Sequence, residues 1–223
     1  MPHLAFDVYG TLIDPLGLLS WFEARSVPQT RELVAQWREK QLEYTFRRAL
    51  MRDYADFPTC TREALIQVCE RHGLVLSAAE LADVIGRYRT LPAYPDVAIG
   101  LTGLRRLGLP CWAFSNGRGD DVQALMDHAG LAPWITGVVS LHDIRTYKPD
   151  PAAYAYFCDR AATGADAVWL ISGNPFDLIG AKAAGMRTIW VRRQETAIFD
   201  PWGGRPDAVV RGIGEIIDVV GVT

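Results

Sequence analysis

The chain has 223 residues, of which 49% are hydrophobic and 22% charged, and a formal net charge of −3. That length and balance suit a folded globular protein built as one large domain, or as a core domain carrying an insertion. It has no basic block, no acidic tail and no apolar run near the roughly 18 residues a membrane span needs, so neither nucleic acid nor membrane is an expected partner.

The first apolar run, Leu4-Ala5-Phe6, predicts a short buried strand over residues 3–8, ended by turn residues at Gly10 and Thr11. Asp7 sits at the end of that run. Burying a lone charge is costly, so an ionised carboxylate there needs cations or donors around it, and one held that way can act as a nucleophile. Position 9, two residues on, is tyrosine and not a second acid. So few residues precede Asp7 that no signal peptide is expected, and a cytoplasmic location is the default.

Residues 15–92 are helical in pattern. Thr30 to Met51 place Leu33, Val34, Trp37, Leu42, Tyr44, Phe46 and Leu50 at roughly helical spacing with charges between them. Two more helices are expected at residues 61–72 and 77–88. Gly73 closes the first of these, and Ser77 with Glu80 forms a capping box for the second. Cys60, Cys69, Cys111 and Cys158 make no CxxC pair and are expected to be reduced structural thiols. His3, His72, His128 and His142 show no metal-ligand spacing.

From Pro95 onward short apolar runs at residues 111–114, 137–139, 168–171 and 188–191 alternate with helix-like stretches at 120–129, 151–162 and 176–184. Ala208 to Val210 read as a last strand before a closing helix. This alternation predicts an α/β fold with a Rossmann-like, mainly parallel sheet, helices on both faces and an inserted all-helical cap. The core domain would comprise residues 1–14 and 93–223, and the cap residues 15–92.

Open parallel sheets bind ligands at the carboxyl ends of their strands. Polar residues gather at those ends: Asp7 after the first strand, Ser115-Asn116-Gly117 after the next, Lys148 after the third, and Ser172-Gly173-Asn174-Pro175-Phe176-Asp177 after the fourth. Each alone has a plain structural explanation. Ser-Asn-Gly makes a turn, Asp150 before Pro151 starts a helix, and Asp177 suits the first turn of one. Four in strand order at one edge of a sheet point to a site.

Together, Asp7-x-Tyr9-Gly10-Thr11-Leu12, Ser115-Asn116, Lys148-Pro149 and the run from Asp177 to Gly185 resemble the four motifs of the haloacid dehalogenase superfamily, in their order and over nearly the whole chain. Most members of that superfamily are magnesium-dependent phosphatases with a second aspartate two residues after the nucleophile. They also carry an acid four residues before the equivalent of Asp177. Those positions here are Tyr9 and Gly173, which leaves too little negative charge to favour a hard cation with oxygen ligands. The departures resemble one branch, the L-2-haloacid dehalogenases. Trp37-Arg38-Glu39-Lys40-Gln41-Leu42-Glu43-Tyr44 is similar to that branch's Trp-Arg-x-Lys-Gln-Leu-Glu-Tyr segment, whose arginine receives the halide. Ser172-x-Asn174-x-aromatic-Asp177 resembles its last motif, and Tyr154, six residues after Lys148, matches as well.

The resemblance implies hydrolysis of a carbon–halogen bond next to a carboxylate, with a small 2-haloacid and water as partners and no metal or organic cofactor. Asp7 would be the nucleophile, kept ionised by Lys148, Thr11 and Ser172. Arg38 and Asn116 would cradle the leaving halide beside a wall formed by Phe176. Ser115 and the backbone N–H groups around Val8 and Tyr9 would hold the substrate carboxylate. Asp177 would be the base for ester hydrolysis, with Asn174 and Lys148 positioning the network and Tyr154 orienting either Lys148 or Asp177. Trp37 is expected to pack. Members are often homodimers, and Trp21, Phe22, Trp37, Tyr44 and Phe46 offer either an interface or the cap's own core. The competing readings are a phosphatase with an atypical metal site, the same chemistry on fluoroacetate or a strained ring, and a catalytically idle binding module.

Overall fold

The computed structural model describes residues 1–221. Six strands form one sheet: β1 (His3–Phe6), β2 (Cys111–Ser115), β3 (Gly137–Ser140), β4 (Val168–Ser172), β5 (Arg187–Val191) and β6 (Ala208–Val210). Their order is β3-β2-β1-β4-β5-β6, and every neighbouring pair is parallel, so the sheet expected to be mainly parallel is parallel throughout. The chain runs outward from β1 through β2 to β3, then crosses back to place β4 on the other side of β1. That reversal opens a crevice beyond the carboxyl ends of β1 and β4, where such sheets bind ligands. The register sets Phe6 against Ile171 and Ser115 against Ser140, so Asp7, Asn116 and Gly173 leave the sheet at one edge.

Both faces are covered. Leu4 and Phe6 of β1 join a core with Leu101 and Leu104 of α5 (Val97–Arg106), Leu125 and Met126 of α6 (Gly119–His128) and Ile216 of α9 (Ile216–Val220). Ala5, pointing the other way, packs with Tyr154 and Phe157 of α7 (Pro151–Ala161) and Leu178 of α8 (Pro175–Ala183). Alternation along a strand produces this division, and burying each large apolar side chain contributes about 1.5–3 kcal/mol.

Among the described residues, 15–89 contain helices and turns but no strand. They carry α1 (Leu19–Glu23), α2 (Thr30–Met51), α3 (Phe57–Arg71) and α4 (Ala78–Gly86). Trp37 is fully buried, and its indole donates to the Thr61 carbonyl at 2.8 Å, joining α2 to α3. Trp21 and Phe22 are buried with it, so these aromatics form the segment's own core, while Tyr44 and Phe46 stay half-buried. The Ser77–Glu80 capping box forms, and Gly73 follows α3 with a φ of +64°. All four cysteines are free thiols. No helix of the described residues is long and apolar enough to cross a membrane.

Three expectations change. The first strand stops at Phe6 and does not reach residue 8, because Thr11, Leu12 and Ile13 all turn their N–H groups onto the Val8 carbonyl and Gly10 takes a φ of +88°. Helix α3 begins at Phe57, four residues earlier than residue 61, since the Asp56 carboxylate accepts from Thr59 N at 3.0 Å and Pro58 fits the first turn. Helix α5 lies where the sequence reading places none. Gly100 and Gly103 weaken its local signal, yet Gly100 is needed: a Cβ there would stand 2.7 Å from the Ile213–Gly214 backbone on which α5 packs.

The chain leaves the sheet and returns to it side by side. Ile13 bridges Ala93, Asp14 N donates to the Pro92 carbonyl at 2.8 Å, and Tyr94 N donates to that of Leu12 at 3.0 Å.

Candidate active site

At the carboxyl end of β1, Asp7 is buried with both carboxylate oxygens engaged. Lys148 Nζ donates to Oδ1 at 2.8 Å. Oδ2 accepts from Thr11 Oγ1 at 2.8 Å, from Asn174 Nδ2 at 2.7 Å and from Ser172 Oγ at 3.4 Å. Burial alone would push this carboxyl up. The charge and hydrogen bond of Lys148, with Thr11 and the more distant Arg38, outweigh it and hold the pKa below the ordinary value. The donors are themselves fixed: Thr11 Oγ1 accepts from Gly173 N at 2.8 Å, and Ser172 Oγ accepts from Asn174 N at 3.0 Å.

Lys148 follows β3 and the loop after it, with 1% of its side chain exposed. Its ammonium also donates to Asp177 Oδ2 at 2.7 Å and to the Phe114 carbonyl at 3.1 Å. Burial would lower its pKa, but the two carboxylates, Asp177 foremost, raise it, so it stays charged. Asp177, in the first turn of α8, is fully buried. Burial pushes its pKa up to about 6, with the Asp7 charge adding to the rise and Lys148 opposing it. Tyr154 donates to Asp177, with its hydroxyl 3.1 Å from Oδ1 and 3.0 Å from the backbone carbonyl. Of the two partners the sequence left open for Tyr154, Asp177 is the one it touches. Gly180, one turn beyond Asp177, makes room for that hydroxyl, since a Cβ there would collide with it.

The remaining expected residues lie around this cluster. Arg38, on α2, reaches the loop after β1 and donates through Nη2 to the Tyr9 carbonyl at 3.2 Å. Asn116 turns its Oδ1 to Lys148 N at 2.8 Å, so what its amide can offer a ligand is the N–H₂ group. Ser115 is buried, and its hydroxyl oxygen accepts from Gly117 N at 3.0 Å. Val8 and Tyr9 bury their side chains, with Tyr9 in the wall of a small cavity beside Phe57 and Tyr88. The Tyr9 ring stacks on Phe57 at 5.5 Å, and burial raises its pKa, so it is a neutral phenol. Phe176 meets Phe46 edge to face at 5.0 Å. A groove of about 590 Å³, walled by Phe46, Leu50, Phe176 and Trp202, has Lys148 in its lining.

Sequence reasoning missed Gln41 as a site residue. It is fully buried, accepts from Arg38 Nη1 at 2.7 Å and is held in turn by Thr61. Its signal was its place three residues after Arg38 on one helix, where side chains share a face. Phe46, the partner of Phe176, was assigned only to packing or an interface.

The side chains present do not fit a divalent cation. The space between Asp7 and Asp177 holds an ammonium, not an oxygen ligand. Gly173 leaves no room for an acid either, since a Cβ there would run into the Gly10 carbonyl oxygen. Among the described residues, no group of three or more His, Cys, Asp or Glu side chains is placed to hold a metal.

A model of the haloacid dehalogenase-like hydrolases matches residues 1–185. The chain is 32% identical over 216 residues to the (S)-2-haloacid dehalogenase of Pseudomonas sp. strain YL, covering 97% of this chain and 93% of that one. It is 39% identical over 191 residues to the (S)-2-haloacid dehalogenase of Xanthobacter autotrophicus, covering 85% of this chain and 74% of that one. Its fold is similar to the solved structure of the L-2-haloacid dehalogenase from Xanthobacter autotrophicus with chloropropionic acid covalently bound. The TM-score is 0.93 and the identity 32%, over 99% of this chain and 98% of that one.

Proposed function

The chain belongs to the haloacid dehalogenase-like hydrolases, in the L-2-haloacid dehalogenase branch, and on that footing we propose that it converts L-2-haloalkanoic acids to D-2-hydroxy acids through an ester on Asp7 and without a metal. The observation that carries the reading is the Lys148 ammonium shared between Asp7 and Asp177. It keeps Asp7 ionised for attack.

Asp7 attacks the carbon bearing the halogen from its back face. The new C–O bond forms as the carbon–halogen pair leaves with the halide, and the configuration inverts. Arg38 and the Asn116 N–H₂ group receive the halide, with Phe176 as an apolar wall; a guanidinium suits this role because it is always charged. Ser115 and the backbone N–H groups of Val8 and Tyr9 hold the substrate carboxylate. Water then attacks Asp7 Cγ while Asp177 takes its proton, and that proton passes to the departing hydroxy-acid oxygen as the ester bond breaks. Oδ2, with its Thr11 and Asn174 donors, is the oxygen on which charge develops in this second step. Tyr154 orients Asp177. The Xanthobacter structure, with chloropropionic acid covalently bound, supports a covalent route.

The test is a single turnover of (S)-2-chloropropanoate in ¹⁸O-water with a metal chelator present. The label is expected in the Asp7 carboxylate. Label in the first-turnover product would exclude the ester, and loss of chloride release in chelator would exclude the metal-free route.

A further inference from the structure

We propose that Arg193, in the loop after β5, is a positioning residue for this reaction: its guanidinium pins the loop that carries Thr11 and the two chain crossings beneath the helical segment. The assignment of a catalytic consequence rests on Asp7 being the nucleophile.

The guanidinium makes two short contacts with parts of the chain far from it in sequence. Nη2 donates to the Thr11 carbonyl at 2.6 Å, and Nη1 donates to Asp96 Oδ1 at 2.6 Å. The other Asp96 oxygen accepts from Ile213 N at 2.7 Å, which anchors it to the core. The Arg193 guanidinium carbon lies 4.1 Å from the centre of the Tyr94 ring. One side chain, 12% exposed, thus holds the outgoing chain at Thr11 and the returning chain at Tyr94 and Asp96. Those same stretches are zipped together by the Asp14–Pro92 and Tyr94–Leu12 backbone hydrogen bonds.

The consequence reaches the site through Thr11. Its carbonyl is held by Arg193, while its hydroxyl donates to Asp7 and accepts from Gly173 N. The crossings lead into the segment that carries Arg38. A planar fork with two donors and a face for the Tyr94 ring suits this place, and a lysine supplies neither the fork nor the stacking. Arg193 Nε is buried without a hydrogen-bond partner, so the arginine is not the choice that satisfies every buried group.

The test compares wild-type protein with Arg193→Met, Arg193→Lys and Asp96→Asn, reading amide hydrogen exchange and turnover. In Arg193→Met the amides of Gly173, Asp14 and Tyr94 are expected to exchange about tenfold faster while those of β4 keep their rate, as local loosening requires. For chloride release from (S)-2-chloropropanoate, kcat is expected to fall about tenfold with KM within about twofold, since small misplacements of reacting groups are costly. Arg193→Lys should recover part of the loss. Asp96→Asn weakens the same ion pair from its other side and should give the same pattern in smaller degree, which also serves if Arg193→Met does not fold. Unchanged exchange at those three amides overturns the proposal, as does faster exchange spread evenly through β4 or faster local exchange with unaltered kcat. Exchange is read without substrate, so a wild-type protein that releases no halide refutes the dehalogenase reading while the exchange data still decide the clamp.

Discussion

The Lys148 ammonium and the Asp7 carboxylate, 141 positions apart in the chain, meet at 2.8 Å where Lys148 keeps 1% of its side chain exposed. The same nitrogen meets Asp177 at 2.7 Å, so two buried acids share one buried cation.

Lys148→Met is therefore expected to leave two enclosed carboxylates facing each other without a counter-ion. Removing one partner of a buried ion pair costs on the order of 3–5 kcal/mol. Both acids would then have folded-state pKa values above their unfolded ones, so the loss should be smallest at acid pH and grow as pH rises through those values. Urea denaturation at pH 5 and pH 8 measures this. An equal loss at both would refute the account.

The two acids are also pushed apart in acidity. Asp7 is held below its ordinary pKa, chiefly because Lys148 outweighs burial, whereas burial pushes Asp177 up to about 6. As pH falls through about 6 in the free enzyme, and lower in the ester, where the Asp7 charge that helps raise Asp177 is gone, Asp177 takes a proton and loses its capacity as a base. Ester hydrolysis should then slow before ester formation does. Intact-protein mass spectrometry of acid-quenched turnover should find the substrate-derived adduct enriched at pH 5 relative to pH 8.

Tyr154→Phe removes the hydroxyl that donates to Asp177 and little volume. That hydrogen bond lowers the Asp177 pKa, so its loss should move the acid limb of kcat upward. A hydrogen bond to a charged group is worth about 1.5–3 kcal/mol, so the displacement should be about one to two pH units. A profile that keeps its wild-type limb would place Tyr154 outside the proton-transfer step.

Gln41 fixes Arg38 from the same helix. Gln41→Leu keeps the apolar body and removes the acceptor, so the Arg38 guanidinium should lose its aim at the loop after β1. A drop of about tenfold in kcat/KM for chloride release is expected, on the scale of one lost charge-assisted hydrogen bond. Equal activity of the variant and the wild type would show that Arg38 needs no such support.

Gly173→Ala should destabilise the fold, because its Cβ would meet the Gly10 carbonyl oxygen, a backbone atom with no rotamer to yield. A cost of about 1–3 kcal/mol is expected from overpacking at such a contact. Thermal denaturation measures it, and an unchanged midpoint would mean that the two loops move apart freely.

Much of this was legible in the linear sequence, for local reasons. Leu4-Ala5-Phe6 and the later apolar runs are short, continuous and bounded by turn residues, and they became β1, β2, β3, β4 and β5. The helix start at Asp150-Pro151 and the Ser77–Glu80 box depend on neighbours a few residues apart, and both formed. Helix α5 was not legible, because Gly100 weakens it locally and is needed only for its approach to Ile213.

The sequence by itself determined that Asp7, Asn116, Lys148 and Asp177 lie at the carboxyl ends of successive parallel strands, since strand length and strand–helix alternation are local properties. It also determined that Tyr9 and Gly173 stand where two acids would otherwise be. Only the tertiary structure decided that Lys148 bridges Asp7 and Asp177, that Tyr154 bonds Asp177, that Gln41 aims Arg38 and that Arg193 grips Thr11. Most of these contacts join residues tens to more than a hundred positions apart. Their geometry follows from sheet register and from where the chain leaves and rejoins the sheet, which no local pattern of residues encodes.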